Sequence, residues 1–311
     1  MRTLITGSIA YDTIMVFPDR FKNHLLADQL HILNVCFLTP EMRREFGGCA
    51  ANIGYNLKLL GGEPLVMATV GEDIEPYLQR LDRQGIPHAH LKRIAGQFTA
   101  QAFITTDLDN NQIIAFHPGA MNHSHENRID ATLGARLAII APDGKEGMLQ
   151  HAHECAAAAI PFVFDPGQGL PMFSADELSE FVRLADYVAV NDYEGKLLEE
   201  KSGRSMEAIA RGVKALILTL GAQGSIIYAG GERHEIPIVE AAAILDPTGC
   251  GDAYRAGLLY GIARQWDWPT TGRLGALLGS IKIAHRGAQN HSFGRQEIAD
   301  RFKQAFGYSP F

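Results

Sequence analysis

Two glycines bracket one small residue, and an aspartate follows, in the stretch Asp246-Pro247-Thr248-Gly249-Cys250-Gly251-Asp252. Beyond it Ala256, Leu259, Tyr260 and Ala263 recur at i, i+3, i+4 and i+7, the spacing of one helix face. Glycine lets a backbone turn tightly and approach a ligand closely. The first amides of a helix lack partners, and the macrodipole adds partial positive charge, so the junction is an anion site suited to phosphate. A carboxylate there repels such a ligand unless it has a task. Taking the proton of a hydroxyl that attacks phosphorus is such a task, which makes Asp252 a candidate general base. Capping the helix is the alternative role for the same side chain.

The chain that must support this chemistry has 311 residues, enough for one large core plus a small accessory piece. Its 46% hydrophobic and 20% charged content is that of an ordinary soluble globular protein. A formal charge of −7 with no basic block argues against nucleic acid as a partner. Positive potential for a phosphate must then come from backbone amides and a bound cation. No apolar run reaches membrane-spanning length, and Met1–Ile9 lacks a signal-peptide layout. The scattered Cys36, Cys49, Cys155 and Cys250 form no CxxC pair, so the expectation is reduced thiols in a cytoplasm. Cys250 fits the turn as a small residue; its place at a helix start could also lower its thiol pKa. The pairs His88/His90, His123/His125 and His151/His153 have no third ligand at a fixed spacing, so no metal is expected on them.

Short apolar strands alternate with helical stretches through most of the chain. Thr3–Ile9, Leu65–Val70, Leu137–Ala141, Phe162–Asp165, Tyr187–Asn191 and Leu216–Leu220 read as strands. Helices are predicted from Phe46-Gly47-Gly48 to about Leu60, and over Glu75–Gln84, His151–Ala159, Ala175–Ala185 and Ser205–Gly212. Others should run from Asp252 to about Arg264, over Thr271–His285 and over Gln296–Phe306. Such alternation implies a mainly parallel sheet covered on both faces. A hairpin is predicted from Thr99–Thr106 and Gln112–His117 around Asp107–Asn111, and another from Ser225–Tyr228 and Glu235–Val239. Thr13–Phe17 and His31–Phe37 are further β-like runs flanking a polar stretch, 19–29. The expectation is one α/β domain over 1–311, with a small β lid from about 13–45 and 99–118. In the hairpin Gln101, Phe103 and Thr105 share one face and Ala100, Ala102 and Ile104 the other, with the inward face undetermined.

In open α/β sheets ligands sit beyond the carboxyl ends of the strands. Asp12, Asp165, Asn191, Glu194, Thr219 and Gly221 all fall at or just past such ends, so independent segments converge on the edge where Asp252 belongs.

These segments also carry a resemblance. The 246–252 stretch resembles the second signature of the ribokinase/PfkB carbohydrate kinase family, DTxGAGD. Gly47-Gly48-Cys49-Ala50-Ala51-Asn52 is similar to its first, GGxxxN. Asn191-Asp192-Tyr193-Glu194 matches NxxE, and Thr219-Leu220-Gly221-Ala222-Gln223-Gly224 is similar to the TxGxxG nucleotide loop. The four elements, in order, span nearly the whole chain. A P-loop is absent, since neither Gly144-Lys145 nor Gly195-Lys196 has a glycine five positions earlier. Pro247 replaces a threonine of the pattern, Cys250 an alanine, and Arg255 stands where an aromatic residue is common; none removes a group the chemistry needs.

The resemblance implies a three-layer ribokinase-like α/β sandwich with a β-sheet lid, transferring the ATP γ-phosphoryl group to a hydroxymethyl. It implies Asp252 as base, with the amides of Gly249, Cys250 and Gly251 holding developing negative charge. Asn191 and Glu194 would organise Mg²⁺ and its waters, Glu194 as the metal-side carboxylate. Thr219, Gly221 and Gly224 would line the nucleotide, with Gly287–Asn290 near its base. Asp12 and Asn52 suit a vicinal diol, and Gly47 and Gly48 let the backbone approach it. The segments Gly7-Ser8-Ile9-Ala10-Tyr11-Asp12 and Phe164-Asp165-Pro166-Gly167-Gln168 look most like the prokaryotic nucleoside (adenosine) kinase branch, placing Ser8 and Ala10 against the acceptor. Phe116 or Phe103 could stack on a nucleobase. A free-sugar kinase is the alternative, and a nucleotide-binding protein without turnover a more distant one. Lids of this family often pair between subunits, so a homodimer is expected.

Overall fold

The computed structural model describes residues 1–25, 34–109 and 111–311. Its large sheet is built where the chain has short, continuous apolar runs. β1 (Arg2–Thr6), β4 (Glu63–Val70), β5 (His90–Arg93), β8 (Leu137–Ile140), β9 (Phe162–Phe164), β10 (Tyr187–Asn191) and β11 (Ala215–Thr219) are parallel. The hairpin of β12 (Ser225–Ala229) and β13 (Glu232–Ile236) adds two antiparallel strands at one edge. The order across the sheet is β13-β12-β11-β10-β9-β8-β1-β4-β5.

Alternate side chains of each strand enter different cores, because a strand's side chains alternate between faces. Ile5, Ile139, Val163, Ala189 and Ile217 join one cluster, which packs against α1 (Cys49–Leu59), α2 (Glu75–Gln84), α7 (Cys250–Ala263), α8 (Trp268–Ile283) and α9 (Arg295–Phe306). Leu4, Ile140, Phe164, Val190 and Leu216 join the other, against α3 (Lys145–Ala157), α4 (Ala175–Leu184), α5 (Asp192–Ser202) and α6 (Met206–Ala210). Burial on both faces is why these strands read as unbroken apolar runs.

A separate four-stranded sheet has the order β3-β2-β6-β7. β2 (Ala10–Val16) lies antiparallel to β3 (Glu41–Gly47) and parallel to β6 (Ala100–Thr106), which forms the predicted hairpin with β7 (Gln112–His117). Asn110, in the hairpin loop, lies outside the described residues, as do 31–33 of the β-like run 31–37 and 26–29 of the polar stretch before it. Residues 34–37 have no regular structure; the strand in this region is β3 instead. β3 reads Glu-Met-Arg-Arg-Glu-Phe-Gly, too polar to stand out as a strand, and its ladder with β2 makes it one. The first strand ends at Thr6 rather than Ile9, and Ala10 opens the second sheet. β13 lies three residues earlier than expected, since the turn at Gly230 and Gly231, both in the left-handed region, sets the register. α3 starts at Lys145 rather than His151, and the short strand β5 has no counterpart among the expected elements.

Candidate active site

The parallel strands point their carboxyl ends at one cavity of about 660 Å³, with the small sheet on its other side. Ser8 follows β1, Asp143 follows β8 and Asp165 follows β9; Asn191 ends β10 and Thr219 ends β11, and all five line it. Glu194, one turn into α5, and Gly249, Gly251 and Asp252 at the start of α7 line it as well. Ala10, Asp12, Gly48, Asn52 and Phe116 complete the set of expected residues on the wall.

Asp252 sits in the first turn of α7, partly buried, and its Oδ2 accepts from Asn52 Nδ2 at 2.8 Å. Burial pushes its carboxyl up to about 6; the Asn52 donor opposes the rise and the Asp165 carboxylate adds to it. The Asn52 amide is itself oriented, because Gln289 Nε2 donates to Asn52 Oδ1 at 2.9 Å and also reaches the Tyr77 hydroxyl at 2.7 Å. Gly249, the residue before the helix, has φ +80°, and an added Cβ would lie 2.7 Å from the Ala288 methyl. The turn thus requires glycine on both conformational and steric grounds. The same holds at Gly48 before α1, with φ +92° and space for a Cβ only 2.5 Å from the Ser8 carbonyl.

Of the three turn amides, that of Cys250 is engaged by the Pro247 carbonyl at 3.1 Å, while those of Gly249 and Gly251 have no backbone partner among the described residues. Cys250 itself is off the cavity wall, and burial pushes its thiol up to about 11, opposite to the lowering a helix start could give. Asp246 braces the turn: its carboxylate accepts from the Thr248 amide at 2.9 Å and the Gly287 amide at 2.8 Å. Burial works against that charge, but these amides, with the Thr248 hydroxyl and the Lys282 ammonium, together offset it and hold the carboxyl below its usual range. The fully buried Lys282 ammonium donates to the Asp246 carbonyl at 2.7 Å.

Asp12, on β2, faces the cavity from the small sheet; burial, then Asp246 and Glu45, push its carboxyl up to about 6. The hairpin register settles which face points inward. Ala102 pairs with Phe116 and Ile104 with Ile114, and all four line the cavity, whereas Phe103, opposite Ala115, is on the other face. Asn191 and Glu194 form a capping box on α5: Asn191 Oδ1 accepts from the Glu194 amide at 2.7 Å, and Glu194 takes the Asn191 amide at 2.8 Å and its Nδ2 at 2.9 Å. Burial, with Asp165 nearby, raises the Glu194 carboxyl.

Several expected residues lie off the wall. Gly47 is buried beneath Asp12, its carbonyl accepting from the Tyr77 hydroxyl at 2.7 Å. Gly221 and Gly224 form the turn from β11 into β12, Gly224 packed against the Ile236 carbonyl and Gly221 facing open space. Gly287 supports Asp246, and Asn290 donates to Glu45 of β3 at 2.8 Å, so that loop ties the glycine turn to the small sheet. Conversely, Cys49, Asp143, Gln168 and Arg255 line the cavity without having been singled out for it. Their signal was position: helix start, strand end, or one turn after Asp252. Among the described residues no group of three or more His, Cys, Asp or Glu side chains is arranged to hold a metal ion.

The model of the pfkB family of carbohydrate kinases matches residues 11–293. The chain belongs to that family. It is therefore a phosphotransferase of the kinase class. The nucleoside kinase of Methanocaldococcus jannaschii is 31% identical over 276 residues, covering 87% of this chain and 90% of that one. Its crystal structure, described as an archaeal member of the ribokinase family, superposes with a TM-score of 0.89 over 97% of this chain and 98% of that one. A nucleoside kinase from Burkholderia thailandensis in complex with inosine is 52% identical, with a TM-score of 0.91 and 99% of both chains covered. The same protein in complex with ADP-inosine is 53% identical, with a TM-score of 0.88 over 99% of this chain and 97% of that one. The fold is ribokinase-like.

Proposed function

We propose that this pfkB-family kinase transfers the γ-phosphoryl group of ATP to the 5′-hydroxymethyl of a nucleoside, adenosine and inosine among a broad range. The observation that carries the reading is Asp252, held by Asn52 beside a glycine turn that lines a cavity bounded by Asp12 and an apolar wall, with the Gly249 and Gly251 amides unpaired by backbone among the described residues. Asp252 takes the hydroxyl proton as oxygen attacks the γ-phosphorus, and the amides of Gly249 and Gly251 hold the charge that develops. Asp12 and Asn52 grip the ribose hydroxyls, with Ser8, Ala10 and Gly48 close against the sugar. The similarity to kinases whose structures contain inosine and ADP supports the same pair of substrates here.

A nucleoside is favoured over a free sugar by Ala102, Ile104, Ile114, Phe116, Met121 and Met172, an apolar wall that a bare pentose leaves unused. Thr219 faces the nucleotide from the end of β11. Mg²⁺ arriving with the nucleotide would neutralise phosphate charge. Both Glu194 oxygens already accept from Asn191, so they suit the ion's waters better than the ion itself. The small sheet acts as a lid that excludes water from the reacting phosphate. Its outer face leaves Phe103 and Ile113 exposed and is the surface on which two subunits would pair. No helix among the described residues is long and apolar enough to cross a membrane.

The test is ADP release with adenosine, inosine, cytidine, ribose and fructose as acceptors. Stimulation by nucleosides is expected; stimulation by ribose or fructose alone, or by no acceptor, overturns the reading.

A further inference from the structure

Arg255 is the one basic side chain among the described residues on the cavity wall, against the carboxylates of Asp12, Asp143, Asp165, Glu194 and Asp252. It is 5% exposed. Burying a guanidinium is costly even when paired, and well-packed apolar residues in the same place often stabilise a fold as well or better. Stability therefore does not account for it. Asp165, equally buried, takes Nε at 3.2 Å and Nη2 at 3.1 Å, while Nη1 makes no hydrogen bond among the described residues. The pairing fixes the plane of the guanidinium, as bidentate pairs do, and leaves one edge free.

Its place along the reaction path follows from the elements that carry it. Arg255 stands three residues after Asp252 on α7, on the same helix face. Glu194 of α5 and Asp252 of α7 line the same cavity and both carboxylates bear on the Arg255 charge, Glu194 on the proposed nucleotide side and Asp252 on the proposed acceptor side. The group moving between those sides is the phosphoryl.

We propose that Arg255 is a catalytic residue whose Nη1 binds an equatorial oxygen of the phosphoryl group in transfer, with Asp165 as its positioning residue. The inference rests on the kinase reading above. Such a donor is worth more as charge develops than in the ground state, so its loss falls on kcat and leaves KM nearly unmoved.

The test compares the unsubstituted enzyme with Asp165→Asn and with the double variant Asp165→Asn/Arg255→Met, which leaves no unpaired buried charge. Inosine turnover is measured, together with ADP binding with and without aluminium fluoride in the presence of Mg²⁺ and inosine. The double variant is expected to lose roughly 10²–10³ in kcat relative to the unsubstituted enzyme, with Asp165→Asn, in which the guanidinium is present but no longer aimed, in between. The KM for inosine and the affinity for ADP should stay within about threefold, and the tightening of ADP by aluminium fluoride should disappear. Arg255→Lys, which keeps the charge and a contact with Asp165, should recover part of the rate. A double variant within threefold of the unsubstituted enzyme in kcat, or one that still tightens on ADP with aluminium fluoride, overturns the proposal. If the unsubstituted enzyme turns over ribose but not inosine, the nucleoside reading falls, and the same comparison made with ribose still decides the role of Arg255.

Discussion

Replacing Asp252 by asparagine separates its chemistry from its structural role. The amide keeps the shape and an oxygen to accept from Asn52 Nδ2, so the 2.8 Å contact survives while the proton acceptor is lost. Turnover should fall by ~10²–10⁴, the usual contribution of a positioned base. Stability should move the other way. The native carboxyl has its midpoint at about 6 rather than 3.8 because burial disfavours the charge. A raised carboxyl pKa means that the folded state binds the proton more tightly than the unfolded chain. Stability is therefore lost as pH rises from 3.8 to about 6, and the deficit persists above. At ~1.4 kcal/mol per pH unit the ionised carboxylate costs the fold about 3 kcal/mol at neutral pH, reduced by the water that reaches its exposed edge. Asp252→Asn should recover much of that cost, raising Tm by roughly 3 °C or more at pH 7.5 and by little at pH 4. The same ionisation should give kcat/KM of the parent an acid limb near pH 6. Thermal melts at both pH values and coupled ADP-release rates read all three effects. A variant that keeps more than a tenth of the parental rate, or melts lower at pH 7.5, refutes the assignment of Asp252 as a buried base.

Gly249→Ala should lower stability by about 1–3 kcal/mol in urea melts and cut turnover, since φ +80° and the 2.7 Å approach to Ala288 both resist a methyl group; parental stability would show that the turn is not strained. Phe116→Ala should raise KM for inosine roughly three- to tenfold with kcat little changed, consistent with ~0.5–1.5 kcal/mol of aromatic stacking; an unchanged KM would remove Phe116 from the base subsite. Gln289→Leu leaves Asn52 Oδ1 and the Tyr77 hydroxyl without that donor and should cost about 1–3 kcal/mol. It also frees the Asn52 amide to turn away from Asp252, so the acid limb of the pH–rate profile should move to higher pH; a fixed limb would mean that Asn52 needs no orienting partner.

Much of the scaffold was legible because its signals are local. β10 and α2 fall where expected: an apolar five-residue run buried on both faces, and an amphipathic helix with proline in its first turn and a left-handed Gly85 after it. That the glycine turn, Asp252 and Asp12 would meet at one sheet edge was likewise legible from residue type and place along the chain, while Asn52 was pointed to by the family resemblance. β3 was not, since its charged sequence becomes a strand only by pairing with β2. Nor was the absence of Gly221, Gly224 and Asn290 from the cavity wall, because a loop's direction depends on what it packs against.

By itself the sequence determined a glycine turn at a helix start with one acid beside it, and a parallel sheet whose strand ends could present partners to that acid. Periodicity and backbone preference are properties of neighbouring residues and need no knowledge of the rest of the chain. Only the tertiary structure decided that Asn52, 200 residues away, donates to Asp252, that Phe116 rather than Phe103 faces the cavity, and that Arg255 is clamped by Asp165 with one edge free. Those are relations between distant segments. They arise from hairpin register, helix phase and the burial of charges in pairs, none of which a short stretch of chain specifies.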